Sequence, residues 1–246
     1  MDTERKEIIY ALCIAGCMAF FYISGIPFKY INIPFLDLHA DTIGLCLQAL
    51  VVWFIGLCLT HVLCPHYQLY SHTHHAYYGL SIVFLFLIPF LSIYWGLRPL
   101  EGHPSGMKIF FEGIFYYVCV GLIEEFFCRG LILQSIQKIT NNDVFAIGMT
   151  ALIYGLLHIP GMMGQATIVV IMRTLWSIGL GIYFGSIYVK TQSLGYVSFI
   201  HMMADWAAIP FVFSQLSYYP GQSAAIIFLT YIALGCNGLV VVSNDE

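Results

Sequence analysis

The feature that most constrains this chain is a recurrence. Apolar runs long enough to form spanning helices, which need about 20 residues each, follow one another along the whole sequence. Reading the runs against their breakers predicts about eight spans, at roughly 8–26, 42–64, 78–97, 108–127, 143–159, 166–189, 193–212 and 221–242. Pro27 and Pro34 flank the first loop, Pro65 stops the second span, and the stretch from Arg98 to Gly106 separates the third from the fourth. Asn141-Asn142-Asp143 is an N-cap signal for the fifth, Pro160-Gly161 ends it, and Pro220-Gly221 precedes the last. The expected fold is all-α, a polytopic membrane helical bundle forming a single domain over 1–246.

Composition enters at two points. The chain is 60% hydrophobic and only 9% charged, against roughly 25% charged for a soluble domain, which excludes that class. Its nine Lys and Arg residues are scattered and make no basic patch, so nucleic acid is excluded as a partner. The first run is flanked by Glu4, Arg5, Lys6 and Glu7 and is longer than a signal h-region, which predicts a retained span. The eight cysteines form no Cys-x-x-Cys pair and mostly lie in apolar runs, where they act as small hydrophobes rather than a disulfide framework.

In so apolar a chain, charge inside a span asks for a reason, because an ionised group at membrane depth costs about 2.5–3.5 kcal/mol. Glu124, Glu125 and Arg129 all fall in the fourth run. Glu125 and Arg129 are four apart and can pair on one helical face. Glu124 is turned by about 100° and must find other company. Apolar periodicity continues to about Lys138, so Arg129 is expected to open a second, shorter helix. Two more polar sets follow in apolar runs, Tyr154 with His158, and His201 with Asp205.

His201 and Asp205 share one face, where a carboxylate behind an imidazole fixes its tautomer and two direct metal ligands are equally well spaced. His158 lies one turn beyond Tyr154 at the Pro160-Gly161 break. Glu124 would supply the carboxylate that deprotonates a water, since Glu or Asp with His is the usual inventory for activating water against an amide. Any one of these groups alone could be interhelical glue. Their joint occurrence on three spans points instead to a hydrolytic site inside the membrane. Cys128, four after Glu124, reads as a packing residue rather than a zinc ligand, and the histidine-rich stretch from His66 to His75 reads as an interfacial loop.

The set Glu124-Glu125-x-x-x-Arg129, Tyr154-x-x-x-His158 and His201-x-x-x-Asp205 resembles the CPBP family of intramembrane proteases (CAAX proteases and bacteriocin-processing enzymes, also called Abi). Its pattern is Glu-Glu-x-x-x-Arg, Phe-x-x-x-His and His-x-x-x-Asn or Asp. The resemblance covers about 108–210 as a catalytic core, leaving three motif-free spans in 1–107 and the last span in 211–246. Tyr154 stands for Phe and keeps the ring. The prenyl-protein-processing branch, with Asn at the position of Asp205, resembles the chain less.

The resemblance implies an endopeptidase in the lipid bilayer, acting on a peptide or membrane-associated protein. Glu124 and His158 would activate the water, His201 and Asp205 would bind or polarise the other side of the reacting centre, and Glu125 and Arg129 complete it. Two routes stay open. One uses a divalent metal, zinc first, on Glu124, His158 and His201. The other is a glutamate-type mechanism without metal. Asp205 in place of Asn adds a negative charge, which favours a metal or a protonated Asp205. The short chain fits a prokaryotic cell membrane.

The rival classes are a proton or divalent-metal transporter, which also places acids and histidines at membrane depth, and a catalytically silent scaffold. No inverted repeat supports the transporter. The absence of His-Glu-x-x-His, Gly-x-Ser-Gly and Gly-x-Gly-Asp excludes other intramembrane protease chemistries.

Overall fold

The computed structural model describes residues 3–24, 42–69, 106–206 and 221–243, the side chains of 106–110, 221–228 and 241 excepted. Its elements are α1 (Thr3–Ser24), α2 (Thr42–Leu63), α3 (Gly106–Glu125), a π-helical segment (Phe126–Leu133), α4 (Gln134–Thr140), α5 (Asp143–Leu157), α6 (Thr167–Thr191), α7 (Leu194–Trp206) and α8 (Gly221–Ser243). Among the described residues every regular element is helical. The predicted span at 78–97 lies outside them.

Each of the other seven predicted spans overlaps a helix over its described residues, and eight spans are not confirmed. Among the described residues four helices are long and apolar enough to cross a membrane: Thr3–Ser24, Thr42–Leu63, Asp143–Met162 and Thr167–Thr191. Their outward residues agree with a lipid environment. Phe54, Val62 and Ile168 are large, apolar and exposed.

Punctuation in the sequence explains the helix ends. Asn141 adopts a left-handed conformation (φ 49°) and closes α4 with its N–H on the Gln137 carbonyl at 2.8 Å. The Asn142 side chain then accepts the Phe145 N–H at 2.7 Å and caps α5, so the expected cap signal is realised. α5 ends at His158, and Pro160–Met162 forms a single 3₁₀ turn.

One expectation fails at Arg129. No new helix opens there, and the chain is helical without a break from Gly106 to Thr140. Instead of a break, the backbone widens into π turns over Phe126–Leu133, flanked by residues of ordinary right-handed geometry. All eight residues of this segment are buried. It sits at the centre of the fold, touching α1, α5, α6 and α7. Just beyond it, Gln134 pairs reciprocally with the backbone of Gln68 at 3.0 and 3.1 Å, tying this helix to the stretch that follows α2.

Around that axis α6 packs on α5 and α8, while α3 packs on α2 and α7. Both contacts depend on missing side chains. A Cβ at Gly235 would lie 2.7 Å from the Gly179 carbonyl oxygen, so α8 and α6 meet backbone to backbone. A Cβ at Gly121 would lie 2.7 Å from Met202 Cγ and 3.1 Å from the Ser198 oxygen, so α3 and α7 touch one turn before the two glutamates.

Overpacking a tight contact typically costs about 1–3 kcal/mol. Gly235→Val should therefore lower the detergent melting temperature and yield. Gly148, with nothing within 4 Å of its Cβ position, is the control. Gly148→Ala should be neutral or stabilising, by up to about 1 kcal/mol from helix propensity. Equal melting of the two variants would refute the α6–α8 contact.

Candidate active site

The close approach at Gly121 delivers the Glu124-Glu125 pair to α7. Glu125 is fully buried, and its Oε1 accepts two hydrogen bonds. One comes from Arg129 Nη1 at 2.8 Å, the pairing expected from the four-residue spacing. The other comes from His201 Nδ1 at 2.6 Å, which the spacing could not foretell. Arg129 is equally buried and spends its other terminal nitrogen on the Gly181 carbonyl of α6 at 2.8 Å. Its guanidinium also lies over the rings of Tyr154 (4.9 Å) and Phe184 (5.4 Å).

The His201 ring is therefore fixed from behind by Glu125, not by Asp205 as its own helix would suggest. Phe184 stacks on it at 4.8 Å. With Nδ1–H donated to Glu125, Nε2 is the atom left to face the other polar groups of the cluster. Three groups face it: the Tyr154 hydroxyl at 3.2 Å, Asp205 Oδ2 at 3.3 Å and Glu124 Oε2 at 3.9 Å. Asp205 and Glu124 are the wetter members, with side chains 24% and 14% exposed against 1% for His201.

His158 caps α5, and its Nδ1 lies 2.8 Å from the Tyr154 carbonyl oxygen. A carbonyl only accepts, so Nδ1 carries the hydrogen and, in the neutral ring, Nε2 keeps the lone pair of a base. His158 is half-buried, within electrostatic reach of Glu124, and its ring meets the Tyr154 ring edge-on at 4.7 Å. All six residues predicted from the three motifs are thus in one place.

Charge and ligand geometry set what the cluster can do. The carboxylates of Glu124, Glu125 and Asp205 face one guanidinium and one hydrogen-bonded imidazole, so the ionised cluster is anionic even with His201 protonated. Glu124 Oε2 is buried with no hydrogen-bond partner among the described residues, which leaves it as an acceptor. A zinc set of Glu124, His158 and His201 does not fit this arrangement. Among the described residues no three His, Cys, Asp or Glu side chains are grouped to hold a metal ion, and His201 Nε2 is already faced by Tyr154 and Asp205. Cys128 is fully buried in the apolar core and acts as a packing residue.

Several neighbours escaped sequence reasoning. Phe184 and the Gly181 carbonyl come from α6, which carries no motif. Tyr22 of α1 and Tyr116 of α3 hydrogen-bond each other and lie within electrostatic reach of Glu124 and Asp205. No local signal marks Tyr22, which lies on α1, far upstream of the motifs. The Tyr154 hydroxyl was visible as a departure from Phe, but its contact was not.

The geometry separates the two glutamates. Glu125→Gln leaves Arg129 buried without its counter-charge, a loss of about 3–5 kcal/mol, and should lower the melting temperature sharply. Glu124→Gln breaks no hydrogen bond described here and should melt like the parent. A Glu125→Gln variant as stable as the parent would show that the ion pair does not hold the centre together.

Residues 106–207 match the family model described as type II CAAX prenyl endopeptidase, Rce1-like. No curated protein and no solved structure matches the chain. The matched stretch begins with α3, ends one residue beyond α7, and contains all three motifs. Over residues 106–207 the chain is thus similar to the type II CAAX prenyl endopeptidase, Rce1-like family, in agreement with the CPBP resemblance carried by the three motifs.

Proposed function

We propose that this chain is an intramembrane endopeptidase of a prokaryotic cell membrane, cleaving a peptide bond of a peptide or membrane-associated protein with a water activated by Glu124 and His158. The observation that carries the reading is the buried, unpartnered Glu124 Oε2 beside His201 and His158. A water between Glu124 Oε2 and His158 Nε2 loses its proton to the carboxylate as its oxygen forms the new bond to the scissile carbon. The carbonyl π electrons move to oxygen, toward the His201 Nε2 side of the site. On collapse the C–N bond breaks and the proton on Glu124 passes to the leaving amine. Burial makes each of these interactions stronger than it would be in water. No step here requires a metal.

The purified protein is assayed with a farnesylated peptide ending in a Cys-a-a-X sequence and with its unprenylated form. The parent should release the C-terminal tripeptide. Loss of a general base typically costs about 10²–10⁴-fold, so Glu124→Gln and His158→Ala should slow turnover by that order while staying folded. Turnover should survive chelation. Reversible loss on chelation, restored by about one equivalent of zinc, would replace this mechanism with a metal-assisted one. Normal cleavage by Glu124→Gln would end the assignment of the base. Equal cleavage of the two peptides would show that the prenyl group is not read.

A further inference from the structure

The Tyr154 hydroxyl has no packing role that the ring does not already fill. The edge contact to His158 and the cation–π contact with Arg129 need only the aromatic face. Yet the oxygen is buried at 3.2 Å from His201 Nε2, on the side of the imidazole that the proposed chemistry leaves open. The other groups at that nitrogen, Asp205 and Glu124, are carboxylates, which when ionised accept hydrogen bonds and cannot donate them. A tetrahedral intermediate formed here develops its negative charge beside the Asp205 carboxylate, while the proton that Glu124 has taken from the water is reserved for the leaving amine, so the oxyanion needs donors of its own. Apart from His201 itself, the hydroxyl is the donor that the described residues hold at this nitrogen. Tyr154 is also the one point at which the three motifs depart from the family's pattern.

We propose that Tyr154 is a catalytic residue whose phenolic O–H, beside the Nε2–H of His201 in its protonated form, donates a hydrogen bond to the oxyanion of the tetrahedral intermediate. No proton leaves the phenol. The bond strengthens as the carbonyl oxygen gains charge and weakens again on collapse, so it acts on the transition state rather than on the bound substrate. This rests on the hydrolase reading above.

The test compares two ligands on the full-length protein in detergent, the farnesylated substrate peptide and a phosphinate analogue in which the scissile amide is replaced by a tetrahedral, anionic group. Removal of one oxyanion donor typically costs about 10²-fold or more. Tyr154→Phe should therefore bind the phosphinate about 10²-fold more weakly, with peptide affinity, KM and melting temperature unchanged and kcat reduced to match. Asp205→Asn places an amide donor at the same nitrogen, so Tyr154→Phe/Asp205→Asn should recover at least tenfold of the loss. If the parent prefers the phosphinate and Tyr154→Phe binds both ligands like the parent, the hydroxyl has no such role while the hydrolase reading stands. A parent that binds the phosphinate no better than the peptide, and does not turn the peptide over, overturns both. Equal weakening of both ligands would make Tyr154 a substrate-binding residue and overturn the inference alone.

Discussion

A single carboxylate oxygen holds the centre of this protein together. Glu125 Oε1 takes one hydrogen bond from a guanidinium one turn along its own helix and another from an imidazole on a different helix. Through Arg129 the same network reaches the backbone of a third helix at Gly181. In an apolar surrounding neither charge can be left alone, because solvation by water is absent and desolvation costs several kcal/mol per ion. The ion pair therefore dictates where α3, α6 and α7 lie relative to one another. Tight helix contacts at glycines permit that placement, but they do not select it.

From this anchor the polar groups grade outward. Glu125, Arg129 and His201 are shut away from solvent, whereas Glu124, His158 and Asp205 are partly open. The dry layer sets ring orientation and hydrogen-bond direction. The wetter layer is where a water and a substrate must arrive. Adjacent glutamates in one motif thus occupy opposite ends of this gradient because a helix turns each about 100° from the last. One belongs to the scaffold of the site and the other to its open face.

Much of this was legible in the amino-acid sequence, and the legible part has a common cause. Charge in an apolar run is costly, so Glu124, Glu125 and Arg129 announced themselves, and the four-residue spacings fixed which groups share a helical face. Helix ends were readable where Asn and Pro have local mechanisms, as at Asn142 and Pro160. What could not be read is set by contacts between distant segments. The carboxylate behind His201 comes from residue 125 and not from residue 205, because helix packing rather than spacing chooses that partner. The widened turn at Phe126–Leu133 carries no breaker, since its geometry follows from the elements packed around it.

That widened turn also works as a phase shifter. A π insertion holds about one residue more than an α-helix of the same length, and one residue is about 100° of rotation. The glutamates lie on one side of the insertion, and Gln134 and Ser135, which tie this helix to Gln68 and Tyr67 in the stretch that follows α2, lie on the other. The two faces of one continuous rod are thereby aimed independently, the first by the needs of chemistry and the second by the needs of anchoring. A relative lacking that one extra residue would have to give up one aim or the other, so indels should be tolerated far less between 126 and 133 than anywhere else along this rod.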